Sequence, residues 1–381
     1  MIKKLLDKKE KKVEYIELIY DLIFVYIIGR NNLLLHHFTD GFVTPVFFLA
    51  YIMSTLAIIQ IWNYTTYYVN IYGRHSIRDH IFLFVNMFLL YFIGEGTRTD
   101  WQAYNTQYHV AWALILFNIG LQYILELRNN KNDKQRKKQI ARMSGILFGE
   151  AAVVLLSLLV YRLTEITWVS LAAVLLSMAA VLIFGQRSST GFVDFSHLSE
   201  RAMLYVVFTF GEMIIAIASY FDGVFSLRNT YFALMAFLIV VGLFLSYGVV
   251  YDHIIDREKE TDGLRYTLVH VGLIFVLNNI TCALEFMQNE KIALLPKMLF
   301  LVGSLVFYYV FLFLISSYAK TSCQLSARFL GGMAALAVSF IALMMMLREQ
   351  MMANIAVTVF YVFSVFLVLY RAGKRMDGAQ Q

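Results

Sequence analysis

Long apolar blocks, each close to the length of a membrane crossing, alternate along the chain with short polar connections. A helix needs about 20 mostly apolar residues to span the hydrocarbon core of a bilayer. The segments of that kind are 13–30, 41–65, 77–95, 102–127, 140–162, 166–184, 199–221, 229–251, 265–286, 293–318, 328–347 and 351–371. The pattern predicts an all-α, polytopic integral membrane protein with about 12 transmembrane helices. The fifth and sixth spans are joined only by Arg162 to Ile166, and the eleventh and twelfth only by Arg348 to Gln350. Links that short suit tight antiparallel hairpins at a membrane surface. The two prolines, Pro45 and Pro296, fall near the starts of the second and tenth helices. A missing N–H is tolerated there, and Thr44 is placed to cap the second helix.

Composition supports this reading. Of the 381 residues, 60% are hydrophobic and only 15% charged, against roughly a quarter charged in soluble domains. The net charge of +6 raises the question of nucleic acid. The basic residues cluster instead in short connections, which suits an anionic leaflet and makes membrane lipids the expected partners. No nucleic-acid motif is visible. Lysines and arginines favour cytoplasmic loops. With a cytoplasmic amino terminus, the inner side takes Lys3, Lys4, Lys8, Lys9, Lys11, Lys12, Arg74, Arg78 and the basic stretch from Arg128 to Arg142, read as a topogenic loop facing lipid. The outer side keeps only Arg30, Arg98, Arg162, Arg228, Lys291, Lys297 and Arg348. The expected location is the cell membrane, with both termini cytoplasmic. No cleavage site follows the basic start, so the first helix is expected to be retained. Cys282 and Cys323 fall at opposite faces in this topology, which excludes a disulfide. Two isolated cysteines make no metal site, and no cofactor motif is present, so no metal or cofactor is expected.

The division expected from the pattern is a basic segment at 1–12, two six-helix halves at 13–187 and 188–371, and a tail at 372–381. The halves share weak internal similarity. His80 precedes Glu95 by fifteen residues in the third helix, and His270 precedes Glu285 by the same spacing in the ninth. The first and seventh helices align with Glu17 on Glu200, Asp21 on Leu204 and Gly29 on Glu212. Two six-helix halves have the same orientation, so the duplication would be a parallel repeat of the kind found in transporters.

The chemistry rests on charges inside apolar helices. Glu17 and Asp21 are four residues apart and so share a helical face. An ionisable residue within a spanning helix is costly and is a functional candidate by default. His197, Glu200 and Arg201 also share a face at the start of the seventh helix, where the plain reading is a mutually neutralising ionic lock. Glu212 follows Gly211 deeper in the same helix; it must be protonated, paired or wet, and the glycine permits close helix approach. His80 and Glu95, and likewise His270 and Glu285, lie at opposite ends of their helices, since fifteen residues rise about 22 Å. Glu150, Asn86, Asn278, Asn279, Gln60 and Gln122 add polar positions that need interior partners. His36 and His37 are adjacent and cannot share a helical face, which argues against zinc.

The run E-L-I-Y-D-L-I-F-V-Y from Glu17 to Tyr26, with H-L-S-E-R at His197–Arg201 and F-G-E at Phe210–Glu212, resembles the bacterial low temperature requirement protein A (LtrA) family. That family carries patterns close to E-L-F-F-D-L-V-F-V and H-L-S-E-R…L-G-E. The resemblance covers most of the chain and implies a multi-pass bacterial membrane protein with a role in growth in the cold. It supplies no chemistry. On matching positions it marks Glu17, Asp21, His197, Glu200, Arg201, Gly211 and Glu212 as family-motif residues. The family's usual Y-x-H in the ninth helix is here Tyr266 and His270, four apart. Tyr20-Asp21 is also loosely similar to the first helix of an endolysosomal and bacterial potassium-channel family, where that helix lines the pore.

Three functions remain open on the sequence. The leading expectation is a transporter or channel for a small ion or solute, with helices one and seven lining a polar path through Asp21, Glu212, Glu17, His270, Glu285, Glu95 and His80. The second is a membrane-embedded enzyme on a lipid or isoprenoid, with His197, Glu200 and Glu17 as acid and base groups; no nucleophile or metal motif supports it, and no residue is assigned as catalytic. The third is a non-transporting scaffold or sensor whose charges are structural locks. An oligomer is compatible with all three.

Overall fold

A computed structural model describes residues 12–96, 101–166, 168–185, 193–221, 226–287, 289–323 and 325–377. Most of the basic amino-terminal segment, Arg98, Arg187 and the expected junction of the halves at 187/188 lie outside the described residues. The described residues form twelve α-helices: α1 Tyr15–Asn31, α2 Pro45–Tyr72, α3 Ile77–Gly96, α4 Trp101–Leu125, α5 Lys134–Thr164, α6 Trp168–Ala180, α7 Phe195–Ile217, α8 Leu227–Val249, α9 Leu264–Phe286, α10 Leu294–Ile315, α11 Ala327–Met346 and α12 Met351–Asp377. Eleven helical segments are long and apolar enough to cross a membrane, while the apolar helix Trp168–Phe184 is shorter. The protein is a helical, multi-pass membrane protein.

Several boundaries differ from the sequence pattern, and those at the starts of the second and fifth helices have local reasons. The second helix begins at Pro45 and runs past residue 65 to Tyr72. The residues before it form a small antiparallel hairpin, with Phe38 opposite Val43 and Thr39 opposite Phe42. Asp40 and Gly41 turn it with φ of 51° and 79°, the conformation an Asp-Gly pair favours in a two-residue turn. The Thr44 hydroxyl donates to the His37 carbonyl at 3.1 Å, which ties the start of α2 to the hairpin. The basic connection ends early because Asp133 caps α5. Its carboxylate accepts the Gln135 and Arg136 N–H groups, so Lys134 to Arg142 are helical.

The chain divides into two compact units. The first holds the described residues up to Leu34, Val46–Tyr205 and Arg257–Val271. Within it α1 packs on α3, α3 on α4, α4 on α5 and α5 on α6. Gly120 allows the α4–α5 approach, since a Cβ there would lie 2.7 Å from the Phe148 ring. The second unit holds Leu35–Pro45, Val206–Asp256 and the described residues from Gly272 onward. Its helix α12 packs on α8 and α11. Cys282 and Cys323 are both buried in this unit and not joined by a disulfide.

The faces of α1 place the site. Tyr15, Ile19, Leu22 and Tyr26 are exposed and follow helical spacing, so they form one apolar stripe. Glu17, Tyr20, Asp21, Phe24, Ile28 and Asn31 are buried on the opposite side. The polar side chains therefore turn inward and the apolar ones outward, as a helix surrounded by lipid requires. Helix α2 is buried along most of its length, from Ala50 to Tyr72.

Candidate functional site

In the first unit, the inward face of α1 meets residues of α2 and of the first two turns of α7. Glu17 and Asp21 lie one helical turn apart on α1, so one long side chain can reach both. That side chain is Arg201. Its Nε lies 3.3 Å from Glu17 Oε2, and its Nη2 donates to Asp21 Oδ1. Trp62 Nε1 donates to the same Asp21 oxygen at 2.8 Å. The Trp62 ring stands 5.9 Å from the guanidinium carbon of Arg201 and packs at a 48° tilt against Tyr205, at 4.5 Å between ring centroids. Glu17, Asp21, Trp62, His197, Arg201 and Tyr205 are all fully buried. A planar guanidinium with several donors suits this bridging of two acids better than an ammonium group.

His197 contacts the other side of the cluster. Its Nε2 is 3.4 Å from Glu17 Oε2, and its Nδ1 lies 3.1 Å from Asn70 Nδ2. Two backbone groups fix the orientation of Asn70. Its Oδ1 accepts the Asp194 N–H at 3.0 Å, and its Nδ2 donates to the Asp194 carbonyl at 2.8 Å. The amide nitrogen therefore faces His197, so Nδ1 accepts and Nε2 carries the ring proton toward Glu17. A second proton on this ring would break the bond from Asn70.

The expected lock among His197, Glu200 and Arg201 is thus an interhelical one. His197 and Arg201 reach Glu17 on α1, and Glu200 is half-buried beside them on α7.

The sequence pattern did not single out His75, whose Nε2 lies 3.8 Å from Glu17 Oε1. Its side chain is 26% exposed, against 1% for Glu17. The α2–α3 turn holds it there. His75 has φ of 51°, and the residues after it form a reciprocal cap. The Asp79 N–H donates to Ser76 Oγ at 3.3 Å, and Asp79 Oδ2 accepts the N–H groups of Ser76 at 3.3 Å and Arg74 at 3.1 Å. This S-x-x-D cap starts α3 and fixes the turn. It was the available sequence signal for His75. Trp62 gave none, because its partners come from distant chain segments.

A neighbouring cluster also escaped the sequence pattern. Glu126, buried just beyond the end of α4, pairs with Arg78 and lies 3.7 Å from Arg74. Tyr68 OH donates to it at 3.5 Å. Several other interior polar residues have partners in neighbouring helices. Tyr64 OH donates to Glu150 Oε2 at 2.7 Å. Asn118 Nδ2 donates to Asn86 Oδ1 at 2.8 Å, and Asn86 Nδ2 to Tyr20 OH at 3.4 Å. His270 is fully buried, and its Nδ1 donates to the Tyr266 carbonyl at 2.9 Å. The four-residue spacing of Tyr266 and His270 permits that bond within one turn. His80 and Glu95 are half-buried at opposite ends of α3.

The remaining candidates belong to the second unit. Glu212 is half-buried on α7. Glu285 Oε2 lies 3.8 Å from His36 Nε2. A Cβ on Gly211 would meet nothing within 4 Å, so close helix approach is not what this glycine provides. Among the described residues, no group of three or more His, Cys, Asp or Glu is arranged to hold a metal ion.

No curated protein and no solved structure matches the chain. One family model does, that of the bacterial low temperature requirement A protein, across residues 12–365. That match spans the cluster, α1 and α7 included, and the chain belongs to the bacterial low temperature requirement A (LtrA) family.

Proposed function

We propose that the protein moves a small ion or solute across the cell membrane, with the buried cluster of α1 and α7 as its protonation site. The observation that carries this reading is the charge balance of the cluster. Glu17 and Asp21 face a single guanidinium, that of Arg201. Two carboxylates and one cation carry a net negative charge among buried side chains, where uncompensated charge costs several kcal/mol. One bound proton restores neutrality. The Asn70 amide already occupies His197 Nδ1, so the proton is assigned to a carboxylate. A buried site that gains and loses one proton is the element a proton-coupled pathway requires.

In this reading both termini are cytoplasmic, α1 and α7 line the path, and Glu212, Glu285, Glu95, His80 and His270 are further polar positions along it. The two six-helix halves are parallel duplicates. The role in cold growth follows from the family. Purified protein in liposomes with an internal pH dye, tested against a panel of cations and organic solutes, should show flux that Glu17→Gln and Asp21→Asn abolish. Flux in none of the panel would overturn the reading.

A structural lock is the second reading, because Asp21 is bonded to both Arg201 and Trp62. It expects the same substitutions to lower the unfolding midpoint in a protein that carries no flux.

A further inference from the structure

We propose that His75 is the port through which protons pass between water and the buried cluster, an inference that rests on the protonation reading above. Glu17 presents its two oxygens to two different histidines. Oε2 faces His197 at 3.4 Å and Oε1 faces His75 at 3.8 Å. The His197 ring is fully buried and its Nδ1 is engaged by Asn70. The His75 side chain is 26% exposed. Among the described residues paired with Glu17, His75 alone has a partly exposed side chain.

The surrounding charges leave that contact open. Arg74 and Arg78 flank His75 in the chain, and both pair with Glu126 from the end of α4. Asp79 from α3 is occupied by the Arg74 and Ser76 N–H groups and by Arg78. From α7, Arg201 and His197 both lie on the Oε2 side of Glu17. Oε1 is the carboxylate oxygen His75 meets.

The transfer is simple to balance. The imidazole takes a proton from water on one ring nitrogen and releases the Nε2 proton to Glu17 Oε1. Only N–H and O–H bonds change, and the reverse sequence empties the site. At 3.8 Å the hop needs a small closure or one bridging water. The turn conformation suits the role. A positive φ is tolerated by His, Asn and Gly far better than by most residues, so His75→Asn and His75→Gly keep the turn while removing the shuttle.

The test is time-resolved infrared spectroscopy after an acid pH jump on the full-length protein in detergent. The Glu17 carboxyl band is the one missing in Glu17→Gln. We expect His75→Asn and His75→Gly to slow its appearance by roughly 100-fold, the usual scale of a positioned acid–base group. Imidazole in the buffer should restore the rate in His75→Gly, which a purely structural role for His75 would not produce. Formation of the band at the wild-type rate in both variants overturns the proposal, as does the absence of any band that depends on Glu17. Liposome flux on the same samples separates the two ideas. Slowed protonation without flux in the wild type removes transport and keeps the port. Unslowed protonation with flux removes the port and keeps transport.

Discussion

Arg201 donates to Asp21 across 180 residues of sequence, and that bond ties the first helix to the seventh at the level of their family motifs. The same guanidinium reaches Glu17 one turn away, so a single side chain neutralises part of two buried acids. Removing one member of a buried ion pair strands its partner and costs about 3–5 kcal/mol. Arg201→Met should therefore lower the thermal unfolding midpoint more than any other single change in the cluster. Arg201→Lys keeps the charge but loses the planar fork, and should fall between Arg201→Met and wild type. Combining Arg201→Met with Asp21→Asn should recover part of the loss. Detergent-solubilised thermal melts of the four proteins check this, and equal midpoints for Arg201→Lys and wild type would refute the bridging role.

Trp62 contributes through one hydrogen atom as well as through its ring. Its Nε1–H is bonded to Asp21, and its face lies near Arg201. Trp62→Phe keeps an aromatic ring but leaves Asp21 Oδ1 with one donor fewer. A lost hydrogen bond to a buried charged group costs about 1.5–3 kcal/mol. The midpoint should drop accordingly, and the drop should shrink in an Asp21→Asn background because that acceptor is no longer charged. An undiminished drop in that background would assign the effect of Trp62 to packing alone.

How far the sequence carried depended on whether the informative spacing was local. Glu17 and Asp21, and likewise His197 and Arg201, are each four apart on one helix, so their shared faces were legible from period alone. That these two faces pair with each other was not, because nothing in the spacing within α1 encodes a partner on α7. Asp21 and Glu212 looked similar as lone acids in apolar helices. The structure gives Asp21 an arginine and leaves Glu212 half-buried in the second unit. The Asp40-Gly41 turn and the Ser76–Asp79 cap are local signals that the hydropathy blocks overrode. The second block absorbed the end of the hairpin, and His75 went unnoticed beside a span boundary.

Asp262 offers a pH test outside the spanning helices. Burial pushes its carboxyl above the usual range, opposed by the Leu264 N–H and by Arg265. A raised folded-state value means the native protein holds this proton more tightly than the unfolded chain does. Its contribution to stability is therefore full below the unfolded carboxylate range and is lost as pH rises through the raised value. Asp262→Asn removes the buried charge, and its side-chain oxygen can still accept the Leu264 N–H. The variant should melt higher than wild type at neutral pH, with an advantage that narrows in acid. An advantage that widens in acid would contradict this sign.

Asn70 sets the proton on His197, and the consequence is visible without any transport assay. The Asp194 N–H must donate, so it fixes which end of Asn70 is oxygen, and the amide nitrogen then faces His197 Nδ1. In wild type, nitrogen-15 NMR of labelled histidine should show His197 protonated at Nε2 and bare at Nδ1. Asn70→Ala removes that donor, and with it the bond that selects the tautomer, so the His197 signal should become a mixture of the two neutral tautomers. An Nδ1-protonated ring in wild type would remove both the tautomer assignment and the charge argument built on it.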